Sequence, residues 1–582
     1  MTRRGADARL VAAWIGALGV GVISLGLSLW RLMPGVGFWD TAEFQMVPPV
    51  LGTAHPTGYP TYVILGWLGS LLMTPLGEAS LRMNVLSAVF VAVGVGVTVD
   101  LARRLSGSLL LGSVAGLGVA LTPIVWAIGT HADPHSLHFT LVAIILWLLV
   151  RWGHLRHANP VDPVEEADEQ AWAGRADEAE VAQDADGDAR RGRRADRLLL
   201  AAAVVVGLSV GNHSLTLLLG LPILAYVLVV EPGLLRRWRF VAACIAAFAI
   251  PTVLVRFEMI LRGGWFRAPF VYADPSTWDG FWYVTLGAQF HDWVTNPFAD
   301  PGGRFADVAT IAVGQLGPLA PIVLVAFAVT IVRQPRYALL SGLTMAITLF
   351  FNSVYPDGAI DRYYIVPAAI AWTWLTILAA TAVDSLTGRD LAPDEAAAVR
   401  PRASGILRPV GLVIVAVLLI APSLIALPAR ARLVDRTGDR AAQTWTDEVL
   451  AALEPEAVVV SWWSYSTTLW YATIVDERRP DICIIDDRNR LDYNLGELDQ
   501  VIDRFIATRP VYLIRNGTSE LGRLDGRYNV TGVGAPTATN LLRVTPIVTG
   551  DAAGAAGAGA STATGVAGRF TPNRAYPREA CG

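Results

Sequence analysis

Charge is what this 582-residue chain lacks: 16% of its residues are Asp, Glu, Lys or Arg, against 53% hydrophobic. Soluble domains carry about 25% charged residues, so the composition is that of a polytopic membrane protein. The net charge of −4 leaves no basic surplus to neutralise phosphates, and no nucleic-acid partner is expected. Cysteine is scarce too. Cys244 lies in an apolar run, Cys483 in an expected strand and Cys581 in the tail. They share no metal or redox spacing, so neither a zinc site nor a disulfide framework is expected. A cleavable leader is not expected: Arg3, Arg4 and Arg9 precede an apolar stretch over 10–32 that is too long for one and is followed by no clear small-residue cleavage site. That stretch reads as a retained first helix.

What is present is a series of apolar runs of membrane-spanning character, at 10–32, 83–101, 109–128, 137–150, 198–210, 215–230, 240–255, 308–332, 338–351, 365–383 and 407–427. About eleven spans are expected, the two around Asn212-His213 being short. Residues 62–72 are also apolar but are interrupted by Gly66 and Gly69 and followed by Pro75, which suits an interfacial or re-entrant segment. The positive-inside rule tests the scheme. With 62–72 not spanning, the clusters at Arg3/Arg4/Arg9, Arg103/Arg104, Arg151/Arg156, Arg190 to Arg197, Arg236 to Arg239, Arg333/Arg336 and Arg400/Arg402 all fall in the cytoplasm. The expected protein is a multi-pass cell-membrane protein with a cytoplasmic N-terminus.

The same scheme gathers unusual polar residues on the outer face. The first outer loop carries Asp40, Glu43 and His55, the second His131, Asp133 and His135, and the third turn Asn212 and His213. Arg256, Glu258, Arg262 and the stretch 274–292 belong to the fourth, and Asp361, Arg362 and Tyr363 to the fifth. A charge near the bilayer centre costs roughly 2.5–3.5 kcal/mol, so acids at a membrane edge are functional by default.

The transmembrane module is expected over 1–430, with an acidic, aromatic-poor cytoplasmic insert at about 157–196 that reads as disordered. Over 431–548, strands at 457–461, 482–485 and 511–514 alternate with helices at 446–453, 467–474 and 495–507. That alternation predicts a small α/β domain, which the topology puts outside the cell. The Ala/Gly-rich tail, 549–582, reads as unfolded.

Several motifs keep the order found in one family. Asp40-Thr41-Ala42-Glu43 followed by Ala54-His55-Pro56-Thr57-Gly58-Tyr59-Pro60 resembles the bacterial relatives of transmembrane protein O-mannosyltransferases, within the GT-C glycosyltransferase superfamily. The segment 126–137 is similar to that family's second acidic loop, with Asp133 where a glutamate is usual. Gly207 to His213, Asp274-Pro275-Ser276-Thr277-Trp278 with Gly287-Ala288-Gln289-Phe290, and Asp361-Arg362-Tyr363-Tyr364 with Pro367 resemble further motifs. The resemblance covers roughly residues 10–380. It implies an all-α GT-C-like membrane fold and transfer of a sugar, mannose in this family, from a polyprenyl-phosphate donor to a protein or glycan acceptor at the outer face, with inversion at the anomeric carbon.

Asp40 is the leading candidate for general base, because an acceptor hydroxyl must lose its proton during attack; its competing reading is a helix cap. Glu43, three residues on, assists on the same helix face, binds a metal with Asp40, or caps. His55, His131, Asp133, Asn212, His213, Asp361, Arg362 and Tyr363 are candidates for donor-phosphate or acceptor binding, Arg362 being the best phosphate clamp. His131, Asp133 and His135 also offer three metal ligands, but alternate positions suit a strand and this segment borders a helix. No metal site and no cofactor are assigned, although a divalent cation is compatible with the acids. A transporter or lipid flippase is the alternative class; it would favour ionisable groups near the midplane and internal repeats, whereas here the acids cluster at one face.

Overall fold

The computed structural model describes residues 3–157, 184–296, 298–355, 360–388, 404–487, 490, 495–515 and 521–547. The membrane portion comprises α1 (Arg3–Trp30), α2 (Trp39–Met46), α3 (Pro60–Leu72), α4 (Ala79–Ser106), α5 (Leu109–Ala120), α6 (Pro123–Ile128), α7 (Pro134–His157), α8 (Asp184–Asn212), α9 (Gly220–Val230), α10 (Trp238–Gly263), α11 (Trp278–Leu286), α12 (Pro301–Leu316), α13 (Ile322–Arg333), α14 (Pro335–Val354), α15 (Ile365–Leu386) and α16 (Ser404–Ile425). Among the described residues, eight helices are long and apolar enough to cross a membrane, or nine if the pair Pro301–Leu319 and Ile322–Arg333, bent by 80°, forms one span. The expected eleven runs are all helical. Those at 109–128 and 215–230 are short, because Pro123 opens a new helix and Ser214–Leu219 forms a 3-10 segment before α9. The run at 62–72 lies in α3, whose 13 residues rise only about 20 Å at ~1.5 Å per residue, less than the ~30 Å hydrocarbon core.

Small residues let the bundle close. A Cβ at Gly118 would stand 2.5 Å from the Trp372 ring, so α5 and α15 meet at a glycine. Trp126, Trp152 and Trp372 are the largest fully buried side chains. Of the expected insert, residues 158–183 lie outside the described set. Its C-terminal part does not fit the expectation: α8 begins at Asp184, and Asp196 holds Arg156 and Arg237 in ion pairs. A carboxylate with two guanidinium partners keeps this end of the helix folded although its sequence is charged. The tail at 549–582 also lies outside the described residues.

After α16 come α17 (Leu427–Leu433), α18 (Ala441–Ala452), β1 (Val458–Ser461), α19 (Trp463–Trp470), β2 (Cys483–Asp486), α20 (Leu498–Phe505), β3 (Val511–Ile514), β4 (Tyr528–Gly532) and β5 (Leu541–Pro546). The sheet order is β2-β1-β3-β5-β4. The β1–β2 and β1–β3 pairs are parallel and the β3–β5 and β4–β5 pairs antiparallel. The three parallel strands are buried along their whole length, which is why they read as short apolar runs. The last two strands are additions to the expected set; β4 is mostly exposed and carries no apolar run.

Candidate active site

Two loops are fixed first. Gln45 on α2 and Asn84 on α4 are fully buried and bonded to each other, Gln45 Nε2 donating to Asn84 Oδ1 at 2.9 Å. Gln45 also accepts from the Gly37 N–H and donates to the Gly35 carbonyl. Asn84 donates to the Met33 carbonyl and accepts from the Ala132 N–H. Buried amides with satisfied partners specify one arrangement. Here they brace the loop before α2 against the loop before α7, which brings Asp40 and Asp133 to either side of Arg362.

Asp40, one residue into α2, opens on a cavity of about 920 Å³ lined also by His55, Tyr59, His131, His213, Arg362, Tyr363 and Trp463. Each of its oxygens has a donor. Arg362 Nη2 donates to Oδ2 at 3.0 Å, and Trp463 Nε1 to Oδ1 at 3.0 Å. Burial alone would raise this carboxyl, but the His55 and Arg362 charges and the two hydrogen bonds outweigh it and hold it at about 2. Asp40 is therefore a carboxylate across the physiological range.

Glu43 shares the helix but not the cavity. It is fully buried and accepts from the His55 backbone N–H at 2.7 Å and from His55 Nδ1. Burial pushes Glu43 up. Burial works against a charge on His55, but the Glu43 and Asp40 carboxylates overcome it and raise the imidazole, so the pair retains a proton. The far nitrogen of His55 meets the Tyr59 hydroxyl at 3.3 Å. Burial drives the Tyr59 phenol well above its usual range, which rules it out as a base.

On the second loop, Asp133 Oδ1 accepts from the backbone N–H of His135 at 2.7 Å and pairs with its Nδ1 at 2.8 Å. Arg362 Nη1 stands 3.8 Å from Asp133 Oδ2. Although burial opposes ionisation, His135 and Arg362 hold Asp133 well below the usual carboxylate range. His131 lines the cavity, 3.9 Å from Asp133; burial lowers it. His213 is held neutral by burial and by the neighbouring imidazoles. Its Nδ1 accepts from the Leu215 N–H, which leaves the ring proton on Nε2. Tyr363 packs edge-on against His213 and His135. Asn212 is buried behind this wall and donates to the Pro134 carbonyl.

The structure thus gathers Asp40, His55, His131, His213, Arg362 and Tyr363 at one cavity, with Glu43, Asp133 and Asn212 as supports. Asp361 is different: it is exposed and does not line the cavity, because the 3-10 turn Ile360–Tyr364 turns inward the side chains that follow it. Sequence reasoning missed Trp463 and Trp293, and the Arg436–Asp439 pair at the rim, and singled out Phe290 only as part of a motif. The Trp462-Trp463 pair after β1 was a usable signal.

Among the described residues, Asp40, Glu43 and His55 form the one trio whose ligand atoms all lie within 4.8 Å of one another. As a metal site it fits poorly. Each carboxylate oxygen already accepts from an N–H, and a guanidinium adjoins Asp40, so no donor atom is orphaned toward a cation.

Residues 40–234 match the family described as Protein O-mannosyl-transferase TMEM260 N-terminal domain. The mouse (Mus musculus) protein O-mannosyl-transferase TMEM260 is 32% identical over 126 residues, which are 22% of this chain and 17% of the mouse protein. The match thus spans less than a fifth of that relative's length. Among solved structures, ArnT from Cupriavidus metallidurans bound to undecaprenyl phosphate superposes with a TM-score of 0.54 at 17% identity, covering 94% of this chain and 99% of the other. Its apo form gives 0.51 at 17% identity, covering 93% and 98%. The chain shares the fold of ArnT over nearly its whole length and, in residues 40–234, sequence similarity to the O-mannosyl-transferase TMEM260 N-terminal domain.

Proposed function

We propose that the protein transfers a sugar, mannose by family resemblance, from a polyprenyl-phosphate donor to an acceptor hydroxyl at the outer membrane face. In this reading, residues 1–430 are the transmembrane catalytic module and 431–548 an extracytoplasmic domain. The observation that carries the reading is an ionised Asp40 held between Arg362 and Trp463 on the wall of a cavity large enough for a sugar phosphate.

The acceptor oxygen attacks the anomeric carbon from the face opposite the phosphate. The new C–O bond forms as the bond to the phosphate oxygen breaks, with inversion. Asp40 takes the hydroxyl proton, and the lipid phosphate leaves as an anion. Arg362 offers a planar fork to that phosphate, which competes with Asp40 for the guanidinium and frees Oδ2 to accept the proton. The proton retained by the His55–Glu43 pair keeps that pair neutral, so that Glu43 does not set a second uncompensated carboxylate against the developing anion. The ArnT chain of the same fold was crystallised with undecaprenyl phosphate, which supports a polyprenyl-phosphate donor.

The test is mass spectrometry of surface and secreted material from a deletion strain and from the same strain complemented with the gene. A hexose lost on deletion and restored by the gene is expected. An unchanged glycan profile refutes the function.

A further inference from the structure

The residue just before Asp40 is strained and open. Trp39 has a left-handed backbone, with φ at 57°, a conformation that bulky side chains avoid. Such strain persists only where the surroundings over-determine it. On one side, Phe38 is wedged edge-on against the rings of Trp445 and Tyr465, at 5.8 and 5.5 Å. On the other, Asp40 is tied to Arg362 and Trp463. Between these two anchors the indole stands 60% exposed on the wall of the catalytic cavity. Core burial does not account for so open a ring, and a tryptophan of an interfacial belt needs no left-handed backbone.

Arg436 and Asp439 line the same cavity, together with His131. They sit in the turn between α17 and α18, which the end of α1 holds. The Arg436 N–H donates to the Arg31 carbonyl at 3.1 Å, and Arg31 Nη1 to Asp435 Oδ2 at 2.6 Å. Arg436 Nη1 donates to Asp439 Oδ2 at 3.1 Å. Both side chains are partly exposed, so the second carboxylate oxygen and the remaining guanidinium N–H groups are available to a ligand. The two charges cancel, and burial lowers His131, on whose charge both act. This stretch of wall is polar without net charge. The stretch formed by Leu286, Phe290, Val294 and Phe351 is apolar and suits the lipid of the donor.

We infer that Trp39, Arg436 and Asp439 form the acceptor subsite and that the acceptor is an uncharged sugar, one pyranose ring stacking on the indole while the ion pair binds two adjacent hydroxyls. Ring C–H groups are attracted to the negative face of an aromatic system. Hydroxyls on neighbouring carbons use the carboxylate and the guanidinium together, which the single hydroxyl of a serine or threonine cannot. A ring on Trp39 sets its next free hydroxyl beside Asp40. That oxygen bonds to the anomeric carbon of the donor, its proton passes to Asp40, and the phosphate leaves with the electron pair of the broken C–O bond. The inference rests on the glycosyl-transfer reading.

The test uses the full-length protein in nanodiscs with labelled polyprenyl-phosphate-hexose. Three acceptor sets are compared: octyl hexopyranosides, their 6-phosphates, and serine- and threonine-containing peptides. Transfer to the neutral pyranosides is expected, with the 6-phosphates poorer and the peptides inert. Asp439→Asn and Arg436→Gln should each raise the acceptor KM about ten-fold, as should Trp39→Ala, while the donor KM stays put. Trp39→Gly should raise the acceptor KM likewise but not lower the thermal unfolding midpoint, since glycine relaxes the left-handed backbone; that separates a lost acceptor from a lost fold. Transfer to peptides but not to pyranosides, preference for the 6-phosphates, or an acceptor KM unmoved in all four variants would overturn the inference and leave glycosyl transfer standing. Absence of transfer from the wild type to every acceptor would remove the transfer reading itself, and this inference with it.

Discussion

Replacing Asp40 with asparagine keeps the size of the side chain and removes the proton acceptor. The amide nitrogen introduced by Asp40→Asn cannot accept from Arg362, so one of the two anchors turns repulsive toward its donor, while Trp463 Nε1 still finds the amide oxygen. Arg362 keeps a carboxylate at 3.8 Å in Asp133, so the wall should stay folded. A positioned general base contributes about 10²–10⁴-fold, or about 3–5 kcal/mol of barrier. The assay is transfer of labelled hexose from polyprenyl-phosphate-hexose into acceptor-containing membranes, at matched expression. A loss of about two to four orders of magnitude in turnover is expected. Transfer by Asp40→Asn within about two-fold of wild type would remove proton abstraction by Asp40 from the mechanism.

Arg362→Gln should raise the donor KM about 10–100-fold, the worth of a charge-assisted hydrogen bond at ~1.5–3 kcal/mol, and Arg362→Lys should restore little because it cannot form the planar fork; recovery by lysine would contradict a bidentate clamp. Trp463→Phe keeps an aromatic ring but loses the Asp40 bond, and a several-fold fall in turnover with little change in donor KM is expected; an unchanged rate would make Trp463 a packing residue only. In a pH series, Asp40, lowered to about 2, contributes stability that is present above its unfolded value of 3.8 and lost only as pH falls through about 2, so no acid limb in turnover should come from it. His55 is raised above 6.5, so its contribution is complete below that value and lost as pH rises through the raised one. An alkaline fall in transfer that His55→Gln flattens is the expected result, and a limb unaffected by that change would clear His55 of the role.

The helices were legible because a membrane span announces itself by length and hydropathy, and the loops that bear Asp40, Asp133 and Arg362 were legible because charge is rare elsewhere. What was not legible is what holds these residues in place. Gln45 and Asn84 look like ordinary polar residues in sequence, and only their mutual burial reveals a brace. Glu43 is on the same helix as Asp40 but points to His55, a distinction that three-residue spacing does not make. Asp361 and Arg362 are neighbours in one motif, yet one faces out and the other in, because a 3-10 turn separates adjacent side chains. The antiparallel β4–β5 pair escaped for the opposite reason: a half-exposed edge lacks the apolar run that marked β1, β2 and β3.

The hydrogen bond from Trp463 to Asp40 joins residues 423 positions apart. A growing chain inserts every membrane helix before it has made that indole. Until the C-terminal sheet has docked, the carboxylate has only one of its two tethers, and a chain cut short at the end of α16 would be a helical bundle without that second hold on Asp40. Completion of the candidate site is thereby tied to the docking of the chain's last quarter onto the helices.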